Sequence, residues 1–272
     1  MSPELDGLFV EGIEVHYGGL VAVQGVSLHA PEGRITGLIG PNGAGKTTIF
    51  NALSGLLQPH AGSIRLFGAD IVHQSPAARA QRGLGRTFQR MELFDSLSVF
   101  DNVALGREAG LAGRNPVRHL IGKPGDRESA LRAARSALEL CGLDDLAGRR
   151  VGSLSTGQRR LVELARTVAG QFRILLLDEP SSGLDAQETR RFGEILRRIV
   201  SDTRGLHQPP GSQTTGAGIL LVEHDMALVM EVCQYLYVID FGRPIFEGTP
   251  VEVANSDVVR SAYLGTEAVG VG

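Results

Sequence analysis

Residues 40–47 read Gly-Pro-Asn-Gly-Ala-Gly-Lys-Thr, and this octapeptide constrains the chain more than any other stretch. It fits the pattern Gly-x4-Gly-Lys-Ser/Thr, with a short apolar run before it (residues 34–39) and a segment from Lys46 to Leu53 after it that reads as the start of a helix. Glycines at these spacings let backbone N–H groups turn inward. The helix N-terminus adds donors and partial positive charge, so such a loop can hold a phosphate chain. Lys46 is placed to reach the β- and γ-phosphates of a nucleotide, and the Thr47 hydroxyl to ligate Mg2+. The alternative, a plain Gly-rich turn, leaves the flanking strand, the helix and the lysine without a purpose.

The rest of the chain reads as a mixed α/β protein. Residues 8–15 and 21–28 have strand character, and residues 63–67 look like a further strand followed by turn residues Gly68 and Asp70. Residues 128–141 and 158–168 are expected to be helices. Leu131, Ala134, Leu138 and Cys141 share one face of the first, and Leu161, Leu164, Ala165 and Val168 share one stripe of the second. Residues 172–177 and 218–222 are continuous apolar runs, as in strands buried on both faces, and an amphipathic helix is expected between them at 188–200. Strand, helix and strand at this spacing form a βαβ unit. Residues 106–126, rich in Gly, Arg and Pro, read as a loop with short helical pieces, and residues 203–216 as a flexible surface insertion.

The run Ile174-Leu175-Leu176-Leu177-Asp178-Glu179 places two carboxylates at the end of a buried strand, where ligands of open α/β sheets sit. Asp178 is suited to the Mg2+ shell and Glu179, one residue on and pointing elsewhere, to act on water as a base. On its own the pair is also compatible with an ordinary strand end carrying solvated acids. The loop at 40–47 favours the chemical reading.

Composition closes off other classes. With 272 residues, 42% of them hydrophobic and 21% charged, the chain can bury a sizeable core. A net charge of -3 gives no basic balance of the kind that marks a nucleic-acid binder. Cys141 and Cys233 are far apart and form no CxxC metal motif. The N-terminus does not read as a signal peptide, and no stretch reaches the ~18 apolar residues of a bilayer span. If the protein works at a membrane, another chain is expected to bring it there.

One segment narrows the family. Leu154-Ser155-Thr156-Gly157-Gln158, opening the helix at 158–168, resembles the signature of the ABC ATPases, usually written LSGGQ. Alone it would be an ordinary helix cap. Other pieces resembling the family follow in order: Tyr17 ahead of the phosphate loop, Gln89 in Arg86-Thr87-Phe88-Gln89, Ser182-Gly183-Leu184-Asp185, and His224 after Glu223. Thr156 replaces the first glycine of the usual signature, and Gly183 stands where alanine is frequent.

The resemblance implies an α/β fold, a P-loop NTPase (RecA-like) core with an antiparallel β subdomain and an inserted helical subdomain. The expected division of the single 1–272 domain is core at about 1–100 and 153–250, helical subdomain at about 101–152, and a C-terminal extension at 251–272. It implies ATP and Mg2+ as cofactors. Nucleotide contacts are expected from Tyr17, stacking on adenine, from Gly40, Pro41, Asn42, Gly43, Ala44, Gly45, Lys46, Thr47 and Thr48, and from Ser155, Gly157 and Gln158 toward the nucleotide of a second subunit. Metal contacts fall to Thr47, Gln89 and Asp178, and the catalytic set is Glu179, His224, Gln89 and Lys46.

Residues 86–89 and 93–103, with the ending from Glu247-Gly248-Thr249-Pro250 through Ala262-Tyr263-Leu264-Gly265, look like the ATPases of the branched-chain amino-acid and urea/amide importers. A lipopolysaccharide-export ATPase shares much of the pattern, and a soluble ABC ATPase without a transport role is a further alternative. The implied partners are a second ABC ATPase subunit, identical or different, transmembrane permease subunits, and indirectly a substrate-binding protein. The expected location is the cytoplasmic face of the membrane, with no nucleic-acid partner.

Overall fold

The computed structural model describes residues 6–87, 93–112, 124–201 and 216–267. Two sheets organise it. The first is antiparallel, in the order β2-β1-β4-β5, and comprises β1 (Gly7–Tyr17), β2 (Leu20–Pro31), β4 (Ala61–Leu66) and β5 (Ala69–Asp70). The second has the order β10-β9-β3-β8-β7-β6, from β3 (Ile35–Ile39), β6 (Leu84–Arg86), β7 (Ile174–Asp178), β8 (Gly218–Val222), β9 (Tyr235–Asp240) and β10 (Arg243–Gly248). Its strands run parallel except β10, which pairs antiparallel with β9 at the edge.

Every residue of β3, β7 and β8 is buried, which explains why these strands read as unbroken apolar runs rather than alternating ones. On one face of this sheet α1 (Lys46–Ser54) lies beneath the antiparallel sheet. Ile49, Phe50 and Leu53 share a core there with Leu8, Val10 and Ile64 of the first sheet and Leu38, Leu176 and Leu220 of the second. On the other face pack α6 (Ala186–Ser201) and α7 (Met226–Val232), through Phe192, Leu196, Leu228 and Val229. The connection β7-α6-β8 joins parallel neighbours, the βαβ unit expected from the spacing.

A second group of helices, α3 (Val99–Ala112), α4 (Pro124–Cys141) and α5 (Thr156–Ala169), joins the same core through Val99, Val103, Ala134, Leu138, Leu161 and Ala165. Here the chain departs from the sequence-based expectation. The stretch from Gly106 to Ala112 continues α3, and residues 124–126 already belong to α4. Gly106 is a contact point rather than a loop signal, because a Cβ there would stand 1.9 Å from the Arg166 carbonyl oxygen of α5. Asp70 likewise is not a free turn residue but pairs with Arg65 across β4 and β5. The insertion expected at 203–216 lies outside the described residues except for Gly216, which is buried and accepts from the Gly33 N–H. Two short helices close the described chain, α8 (Pro250–Asn255) and α9 (Asp257–Glu267), and α2 (Pro76–Gln81) precedes β6. Among the described residues no helix is long and apolar enough to cross a membrane.

Candidate active site

The strand order places β3, β8 and β7 side by side, so the segments leaving their carboxyl ends meet. The phosphate loop leaves β3. Gly43 and Gly45 hold φ angles of 80° and 100°, a region that costs glycine little. Gly45 is the N-cap of α1 and offers no side chain to the first N–H groups of the helix, which are left available for an anion. Lys46 is buried, and its Nζ donates to the carbonyls of Gly40 at 2.6 Å and Pro41 at 2.9 Å, spanning the loop from inside. Burial lowers its pKa, against which the carboxylates of Glu179 and then Asp178 work. Asn42, Gly43 and Thr47 are exposed, Pro41 and Ala44 are buried, and Thr48 is partly buried.

Asp178 ends β7 with 1% of its surface exposed. Its Oδ2 accepts from the Arg86 guanidinium at 3.1 Å, while its Oδ1 has no hydrogen-bond partner among the described residues. Burial raises the Asp178 pKa. Arg86 opposes this, nearby Glu179 adds to it, and Lys46 opposes it more weakly. The buried oxygen without a partner and the exposed Thr47 hydroxyl are hard oxygen donors, the type that suits Mg2+. Arg86 is itself held by Asn51 Oδ1 and Ser54 Oγ of α1, both at 2.8 Å, so β6, α1 and β7 converge on this carboxylate.

Glu179 follows with φ 48°, uncommon for a residue with a side chain. Its N–H donates to the Val222 carbonyl at 2.8 Å, so the chain leaves the strand sharply while still bonded to β8. His224 Nδ1 lies 3.9 Å from Glu179 Oε2 and 3.7 Å from Glu223 Oε2, neighbours without a hydrogen bond. The His224 side chain is well exposed and that of Glu179 partly so.

The helix α5 begins in a capping box. Ser155 Oγ accepts from the Gln158 N–H at 3.2 Å, and Gln158 Oε1 accepts from the Ser155 N–H at 3.1 Å. Gly157 is needed for close approach, since a Cβ would stand 2.1 Å from Glu188 Oε1. Arg160 donates to the Ser182 carbonyl at 3.3 Å, and Asp185 Oδ1 accepts from the N–H groups of Gln187 and Glu188. The contacts of this helix end thus run to residues 182–188. Among the described residues no hydrogen bond or ion pair joins residues 155–158 to the phosphate loop. Tyr17 closes β1, 50% exposed, opposite Leu20 in β2. Gln89, expected in both the catalytic and the metal set, lies outside the described residues.

The family model of the ABC transporter matches residues 23–182, more than half of the chain and inclusive of the phosphate loop, the α5 N-terminus, Asp178 and Glu179. The chain belongs to this family. It is an ABC ATPase. A second model, the branched-chain amino acid ATP-binding cassette transporter, matches residues 243–269. The chain is 38% identical over 261 residues to the high-affinity branched-chain amino acid transport ATP-binding protein BraF of Pseudomonas aeruginosa, covering 95% of this chain and 97% of that one. It is 34% identical over 251 residues to the lipopolysaccharide export system ATP-binding protein LptB of Acidithiobacillus ferridurans, covering 92% and 93%. The solved ADP conformation of an ATP-binding cassette of an ABC transporter superimposes with a TM-score of 0.80 at 28% identity, covering 96% of this chain and 99% of that one. Nucleotide binding and the P-loop NTPase fold follow from this membership.

Two groups in this ABC cassette were not singled out from the sequence. Arg86 appears there only as a neighbour of Gln89, and Glu223 only as the residue before His224. Both act across the sheet, over 92 and 42 residues, and no local pattern marks such pairings.

Proposed function

We propose that this ABC ATPase binds and hydrolyses ATP with Mg2+ as one of two ATPase subunits, same or different, and energises import of branched-chain amino acids or related small polar solutes through partner membrane permeases. The observation that carries the import branch is the match of residues 243–269 to the branched-chain model, joined to the higher identity with a branched-chain relative than with the lipopolysaccharide-export one. The latter, at 34% over 92% of the chain, supports lipopolysaccharide export as the second reading.

In the proposed mechanism two subunits close head to tail around ATP. The phosphate loop, from Gly40 to Thr48, holds the phosphates, with Lys46 turning from its own loop carbonyls to the β- and γ-phosphates. Tyr17 stacks on the base. Thr47, Asp178 and Gln89 would hold Mg2+, which supplies charge neutralisation on the phosphates when bound. Glu179 takes up the proton of the attacking water, and His224 and Lys46 stabilise charge developing on the γ-phosphate oxygens. Ser155, Gly157 and Gln158 present the α5 N-terminus to the nucleotide of the partner subunit. Hydrolysis then reopens the pair.

The proposed division keeps residues 101–152 as the helical subdomain, 251–272 as the extension, and the remainder as core with its β subdomain. A cavity of about 250 Å³ where β6 and α2 meet α3 and α5 is lined by Arg79, Arg86, Gly106, Arg166 and Phe172 among others, and this groove would receive a helix of a permease. Attachment there would hold the chain at the cytoplasmic face of the membrane. The substrate-binding protein would be an indirect partner. The test is a pull-down from native membranes of Glu179→Gln held with ATP. Two multi-spanning permeases, encoded beside an amino-acid-binding protein, are expected. Ribosomal or DNA-repair proteins with no membrane protein would overturn transport and leave the ATPase chemistry standing.

A further inference from the structure

Glu223 is a carboxylate with 0% of its surface exposed, and no role in hydrolysis falls to it in the mechanism above. Both of its oxygens are used on backbone. Oε1 accepts from the Ser181 N–H at 2.8 Å, and Oε2 accepts from the His224 N–H at 3.1 Å. The first belongs to the segment that leaves Glu179 and leads to Gly183 and Asp185. The second belongs to the segment that carries the His224 imidazole. Hydrogen bonds to an ionised acceptor are the strong ones, and in a dry setting they fix geometry more firmly than a solvated contact. A neutral residue of the same size has one acceptor oxygen for two donors.

We propose that Glu223 is a positioning residue that ties the loop after Glu179 to His224, so that the two move as one unit when a partner subunit docks. The inference rests on His224 acting on the γ-phosphate as described above. The reason for coupling lies in the contacts of the loop. Its Ser182 carbonyl accepts from Arg160 of α5, and Gly183 lies beside Thr156, so residues 181–185 border the helix end that faces the partner. A displacement of that loop therefore pulls on Ser181, and through Glu223 on the backbone of His224.

The test is a double-mutant cycle on the assembled protein, with kcat and KM for ATP measured for Glu223→Gln, His224→Ala and the pair. Glu223→Gln is expected to lower kcat by about tenfold or more with KM nearly unchanged, as misplacement of a reacting group does. In the His224→Ala background the same substitution is expected to add little. A merely structural role would lower stability and leave the two losses multiplying. Losses that multiply overturn the proposal while His224 keeps its assigned part. A normal kcat for His224→Ala sinks the assignment of His224 and this inference with it. Should Glu223→Gln not fold, Glu223→Asp replaces it, keeping the charge but drawing the oxygens back by one methylene. The same lack of multiplication is expected, and multiplication overturns the proposal.

Discussion

The Arg86 guanidinium donates to Asp178 Oδ2 at 3.1 Å, while the other oxygen of the same buried carboxylate has no partner among the described residues. One half of Asp178 is thereby held by the protein, and the other half is the oxygen proposed above to meet Mg2+. Replacing Arg86 by Met would leave a buried carboxylate without its cation. Breaking a buried pair from one side costs about 3–5 kcal/mol. Arg86→Met is expected to lower the unfolding free energy in urea by that amount, with an earlier midpoint and an unchanged slope, and to regain more stability than the wild type when Mg2+ and ATP are added. A variant as stable as the wild type would contradict the role of this pair.

Lys46 occupies the inside of its own loop, bonded to Gly40 and Pro41. Lys46→Met removes both bonds and the contact expected with the phosphates. ATP affinity, measured by calorimetry, should fall by tenfold or more, which is about 1.4 kcal/mol or more. Lys46→Arg should not restore it, because a planar, wider guanidinium does not fit where an ammonium is enclosed by two carbonyls.

Gly106 sits where α3 meets α5, with no room for a methyl group against the Arg166 carbonyl. Gly106→Ala would gain helix propensity of up to ~1 kcal/mol. Overpacking costs about 1–3 kcal/mol and should outweigh it, for a net loss of up to about 2 kcal/mol in chemical denaturation. A stabilised variant would mean that α3 and α5 are further apart than described.

Cys141 and Cys233 are both buried, and burial pushes their thiols from an ordinary 9.0 to about 12. Neither should react with iodoacetamide at pH 8.5 in the native protein, and both should react in denaturant. The sign of the linkage follows from the same numbers. Between pH 9 and about 12 the unfolded thiols lose protons that the native ones keep, so the native state binds more protons and stability falls as pH rises. Each thiol contributes up to about 1.4 kcal/mol per pH unit there, and nothing below pH 9. Rapid native labelling at pH 8.5 would contradict their burial.

Much of the site was legible because its parts are local. The octapeptide at 40–47, the two acids at the end of β7 and the Ser155 cap each announce themselves within a few residues. The buried strands were legible too, because residues covered on both faces leave no alternation. What escaped was non-local. Gly106 looked like a loop residue, since only the approach of α5 shows why a glycine sits inside a helix. Arg86 and Glu223 looked incidental, since their partners lie across the sheet.

The most direct test of the account is the steady-state ATPase rate of Glu179→Gln, measured with its partners assembled. If Glu179 takes the proton from the attacking water, turnover should fall by a factor on the order of 10²–10⁴ while ATP still binds. A variant that kept the wild-type rate would show that Glu179 is not the base, and the hydrolytic mechanism drawn from this site would be wrong.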